Sequence, residues 1–180
     1  MPFVWYSQTP LLSLLTAAPV QTIDFIIELF DYVTNAYKNS QLNVDCKESS
    51  EIEIVLSNDN KIRQTISDRL WKIHRGTTVA PNLLESILMA LERWLYNALP
   101  TLTDETADDF CMKLISRTNS AAITSVIVSM VIAYPQKLFK TACCLLQTKE
   151  IFQYDLYRLT SESSTGLFPA TVSSKIFTDE

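Results

Sequence analysis

The chain has 180 residues, 47% hydrophobic and 19% charged, with a formal net charge of −5 and two glycines, Gly76 and Gly166. Such a composition can bury a core and lies outside the disordered class. So few glycines disfavour turn-rich sandwiches, barrels and dinucleotide folds, since glycine makes up about 7% of an average chain. The acidic balance and scattered Lys and Arg argue against a nucleic-acid footprint, which needs clustered positive charge.

In chain order, residues 11–17, LLSLLTA, read as a short helix between Pro10 and Pro19. In VQTIDFIIELFDYVTNAY, Ile23, Ile26, Ile27, Phe30, Val33 and Tyr37 recur at helical spacing. Asp24, Glu28, Asp31 and Asn35 form one polar stripe, while Phe25, Leu29 and Tyr32 make the remaining face apolar. A helix buried on most of its circumference is expected there.

The period then changes. EIEIVLS alternates Ile52, Ile54 and Leu56 against Glu51, Glu53 and Val55; NDN makes a turn; KIRQTI resumes the alternation, with Gln64 interrupting the apolar face. A β-hairpin over residues 51–66 follows, and a lone ribbon of this size must pack on helices to be stable.

Beyond it all segments read as helical. SDRLWKIH starts with Ser67 as cap and ends at Gly76. Asn82 is the expected cap of LLESILMALERWLYNAL, which Pro100 ends, and Thr103 and the acidic DETADD suit the next helix start. Asp104, Glu105, Asp108 and Asp109 are expected to be solvated there, since they lack the spacing of a calcium loop. From Thr118 to Gln136 no residue is charged, and AAITSVIVSMVIAY is 14 residues long. A membrane span needs about 20 apolar residues, so a core helix is expected. Pro135 both ends that helix and can open PQKLFKTACCLLQT as a first-turn proline. EIFQYDLYRLTSE completes the set.

The expected fold is mainly α, an antiparallel helical array of HEAT-like, α-solenoid or bundle type, with one small β-hairpin near residues 51–66. Residues 1–163 form a single helical domain, and 164–180 a tail or the start of a further element.

Little in this pattern specifies chemistry. His74 is the only histidine, so any Ser-His-Asp or Cys-His site would have to use it. Glu85 and Glu92, two turns apart on one helix face, could share an acid–base task. Pairing of Glu92 with Arg75 or Arg93 is the simpler expectation, because unpaired burial of charge is costly. Cys46, Cys111, Cys143 and Cys144 lack CxxC spacing and a second histidine; they read as buried free thiols in a reducing compartment. No phosphate-binding loop can be built around either glycine. No catalytic, cofactor or metal residue is assigned, and no cofactor is expected. The N-terminus lacks the basic region of a signal peptide, which points to the cytoplasm.

LWKIHRG followed by LLESILMALERWL resembles a pattern in very large bacterial ATP-binding proteins of the signal-transduction NTPase type, in which a Trp and an RG precede a helix reading ALMALE-x-WL. The matching positions are Trp71, Arg75, Gly76, Met89, Ala90, Leu91, Glu92, Trp94 and Leu95, and the likeness extends over residues 8–160. It implies a helical region downstream of an NTPase core, without that core's ATP-binding loop. Relatives of this type with a role in antiphage defence use such regions to sense a target or hold the NTPase inactive. By this likeness Trp71, His74, Arg75, Gly76, Glu92, Arg93 and Trp94 form a structural corner where hairpin meets helices. The expected partner is a protein, either the remainder of a larger chain or a separate molecule, with neither nucleic acid nor membrane. A self-standing cytoplasmic adaptor is the alternative, and an enzyme using His74, Glu85 or Glu92 a second.

Overall fold

A computed structural model describes residues 9–41, 43, 47–57 and 60–164. Its helices are α1 (Leu11–Ala17), α2 (Pro19–Lys38), α3 (Asp68–Lys72), α4 (Asn82–Ala98), α5 (Asp104–Ser116), α6 (Ala121–Ala133), α7 (Phe139–Leu145) and α8 (Lys149–Ser164). Short 3-10 turns at Ile73–Arg75 and Leu99–Thr101 extend α3 and α4. Between α2 and α3 lies one antiparallel hairpin, β1 (Ser50–Ser57) with β2 (Asn60–Ile66). The described residues are therefore mainly helical with a single small hairpin.

The uncharged stretch supplies the centre. Every residue from Ala121 to Met130 is buried, and α6 packs against α2, α3, α4, α5, α7 and β2. A solenoid unit touches only its sequence neighbours, whereas α6 touches elements drawn from most of the chain. The array is a bundle around one central helix. No helix among the described residues is long and apolar enough to cross a membrane.

The hairpin is in register from Ser50 opposite Ile66 to Val55 opposite Lys61. Ile52 and Ile54 face the core, while Glu51 and Glu53 lie outside in ion pairs with Lys38 and Lys61. Gln64 does not break the inward face. It is 1% exposed; its amide donates to the carbonyls of Ile115 and Thr118, and its oxygen accepts from Thr124 Oγ1 at 2.7 Å. Thr65 N–H donates to Asn119 O at 2.8 Å, which ties β2 to the start of α6.

Several expectations are corrected. Asn82 is the first residue of α4 and caps nothing; Pro81 precedes it in an extended conformation. Pro135 sits in the turn between α6 and α7, not in the first turn of α7, because Tyr134 before it has already left helical geometry. The outer face of α2 is not covered: Phe25 and Tyr32 are exposed. Cys143 is exposed, whereas Cys111 and Cys144 are buried free thiols. Asp108 is not solvated. It is 4% exposed and accepts from the N–H groups of Lys140 and Thr141 and from Thr141 Oγ1. A carboxylate of α5 thus caps the free N–H groups that open α7. Cys46, residues 58 and 59 of the hairpin turn, and 165–180 of the expected tail lie outside the described residues.

Candidate functional site

The corner is built by a cap and a glycine. Ser67 Oγ accepts the Leu70 N–H at 3.0 Å and starts α3. Gly76 ends the following 3-10 turn at φ 63°, a left-handed conformation that glycine adopts without a Cβ penalty. This short element points Trp71 and His74 inward, 0% and 1% exposed, and leaves Arg75 half-buried beside them.

The imidazole of His74 lies between two serines one turn apart on α6, with Nδ1 3.2 Å from Ser125 Oγ and Nε2 3.3 Å from Ser129 Oγ. Ser125 Oγ donates to the Ala122 carbonyl at 2.8 Å. Its single hydrogen is used, so it can only accept from the ring, which places the ring hydrogen on Nδ1. Ser129 Oγ accepts from Arg75 Nη2 at 3.0 Å and Arg158 Nη1 at 2.9 Å. Arg158 Nη1 also stands 3.5 Å from His74 Nε2. Burial holds the imidazole well below its usual range, and the Arg75 and Arg158 cations push the same way. The Trp71 carbonyl is the neighbour that favours the charged ring.

Carboxylates close the network at its rim. Arg75 Nη2 meets Glu92 Oε1 at 3.2 Å, and Arg158 Nη2 meets Asp155 Oδ1 at 2.7 Å. The Nε atoms of Arg75 and Arg158 lie 3.3 and 3.9 Å from Glu162 Oε1, near enough for charge attraction but without hydrogen-bond geometry at those nitrogens. Burial raises the Glu92 carboxyl against the pull of Arg75. Trp71 Nε1 donates to Asp155 Oδ1 at 3.4 Å, and Lys72 Nζ to Ser161 Oγ at 2.8 Å. Polar contacts thus run from α3, its turn and α6 to α8.

Of the residues expected at the corner, Trp71, His74, Arg75, Gly76 and Glu92 come together. Trp94 packs on Phe110 with ring centres 6.1 Å apart, and Arg93 is exposed. Glu85 is 5% exposed, burial raises its carboxyl, and no hydrogen bond or ion pair reaches it among the described residues. Sequence reasoning missed Ser125, Ser129, Asp155, Arg158 and Glu162. The signals were there: two serines four apart in an uncharged helix, and three charges spaced three and four apart on another.

For nucleophilic chemistry the imidazole would have to take a serine proton and carry the charge, a state that a carboxylate normally stabilises. Here guanidinium donors stand next to Nε2, and they oppose that charge. Among the described residues no cluster of His, Cys, Asp or Glu could hold a metal ion. An open cleft of about 460 Å³ lies elsewhere, between Glu48, Arg69 and the α8 residues Gln153, Tyr154 and Tyr157. Its charges are matched, with Glu48 3.5 Å from Arg69 and Asp68 2.6 Å from Lys72. His74, Glu85 and Glu92 do not line it.

No protein-family model matches the chain, and no curated protein matches it in sequence.

Proposed function

We propose that this chain is a non-catalytic helical scaffold or sensor segment of a large bacterial ATP-binding protein, working in the cytoplasm through contacts with protein. The observation that carries the reading is the inverted character of α8. Its inner arc places charges beside the buried Ile151 and half-buried Tyr154, with Arg158 6% exposed and Asp155 and Glu162 partly buried. Its outer arc presents Phe152, Leu156 and Leu159 to solvent at 51%, 59% and 48% exposure. These three residues are spaced four and three apart, the pattern by which a helix docks on another helix. A helix that holds three charged residues inward while large apolar side chains face solvent is suited to a further protein surface. The likeness of residues 8–160 to the region downstream of NTPase cores supplies the class of that surface, and the link to antiphage defence rests on that likeness alone.

A photo-crosslinking amino acid at Leu156, introduced in cells that make the protein, tests this. The expected result is efficient coupling to protein, within the same polypeptide or to another. Coupling no greater than from the exposed polar position Asn97 would contradict it.

A further inference from the structure

The packing of α8 differs from that of the other long helices. Ile151 is its one fully buried hydrophobic residue among the described residues, and α8 packs chiefly on α3. Apart from the half-buried Tyr154 ring against Trp71, its remaining attachments are polar: Arg158 to Ser129 and His74, Asp155 to Trp71, Ser161 to Lys72 and Glu162 to Arg75. The core around α6 draws on α2, α3, α4, α5, α7 and β2, so it does not depend on α8 for closure.

At the inner end of that interface stands His74, and the hydrogen-bond roles there leave room for one protonation state. Ser129 Oγ has both lone pairs occupied by Arg75 and Arg158. Arg158 Nη1 is a donor. Nothing within hydrogen-bond distance of Nε2 can therefore accept a hydrogen from it, and Nε2 serves only as an acceptor. The charged groups around the ring are Arg75 and Lys72 from its own segment, Glu92 from α4, and Asp155, Arg158 and Glu162 from α8; α6 contributes only the two serines. The guanidiniums lie inside, against the ring and Ser129, and the carboxylates lie behind them.

We propose that α8 is a latch released by acid: a proton taken up at Nε2 of His74 turns the acceptor facing Arg158 into a donor, and Lys149–Ser164 leaves α3 while the bundle around α6 stays folded. Release uncovers Trp71, whose ring now lies 6.3 Å from that of Tyr154. The inference goes beyond the proposed function and stands without it.

Amide hydrogen exchange on the full chain, corrected for the intrinsic pH dependence of exchange, tests the latch between pH 7.5 and 5. Protection in α8 is expected to fall by up to about tenfold per pH unit below about 6.5, with α6 unchanged and His74→Gln removing the effect. Equal loss in α6 and α8, no loss in α8, or the same loss in His74→Gln would each overturn the proposal. Should His74→Gln not fold, the single imidazole of the native chain gives one NMR titration. Its protonation has to be accompanied by the loss of α8 protection, and titration without that loss overturns the latch equally.

Discussion

The Ser129 hydroxyl accepts from two guanidinium groups while standing 3.3 Å from His74 Nε2, and this fixes the imidazole as neutral. A pH dependence of stability follows. In the unfolded chain the imidazole titrates near pH 6.5, and in the folded chain its value is well below that. Between the two values the unfolded chain binds a proton that the folded chain, with α8 in place, refuses. Stability therefore falls as pH drops below about 6.5, by up to about 1.4 kcal/mol per pH unit, and is independent of this group above it. Glu92 has the opposite sign. Its raised value lets the folded chain bind a proton first, so acidification through its range stabilises. Urea unfolding at pH 6.5 and 5.5 checks the histidine contribution: His74→Gln is expected to flatten that slope, and an unchanged slope would contradict the assignment. At Gly76 the geometry isolates a backbone effect. A Cβ there would meet Glu85 Oε2 at 3.8 Å and Met89 Cε at 3.9 Å, which are ordinary contacts. Gly76→Ala is thus expected to cost about 1–2 kcal/mol through the left-handed conformation alone, and Gly76→Asn less, both read by thermal unfolding. Ser67, Gly76 and the Arg75–Glu92 pair were legible in sequence because capping, left-handed glycine and charge pairing are local or near-local rules. Arg158 was not, since its partner Ser129 lies 29 positions away and no periodicity couples α6 to α8.

At the scale of elements, polar side chains fasten the joints and apolar ones fill the core. Asp108 joins α5 to α7 through three accepted hydrogen bonds. Asp108→Ala leaves buried N–H groups without a partner and is expected to cost about 1–3 kcal/mol in urea unfolding; a loss under 0.5 kcal/mol would show that the joint is carried by packing. In α6, Ile127 is fully buried at the centre of the bundle, and Ile127→Ala is expected to cost about 2–5 kcal/mol. On the outer arc of α8, Leu156→Ser should move stability by less than about 0.5 kcal/mol, as for other exposed positions, while weakening any docked partner. The helical segments, the hairpin and its inward face could be read from periods of 3.6 and 2. Misreadings arose where a side chain serves a distant element. Asp108 looks like part of a solvated helix start in sequence, and Gln64 like a defect, because both find their partners beyond their own segments.

For the molecule as a whole, the uncharged run from Thr118 to Gln136 announced its central helix, and the arrangement around α6 is that of a bundle. Which faces stay open could not be read from sequence. Apolar spacing on α2 and α8 implies burial, yet Phe25, Tyr32, Phe152, Leu156 and Leu159 are exposed. That excess of outward apolar surface is the physical basis for placing the chain beside further protein, since exposed apolar arcs mark contact sites. The most direct measurement is an immunoblot of the source cells with an antibody against residues 71–95. As a segment of a large ATP-binding protein it gives a band several times larger than 20.4 kDa. A single band at 20.4 kDa would contradict that account and leave a self-standing adaptor.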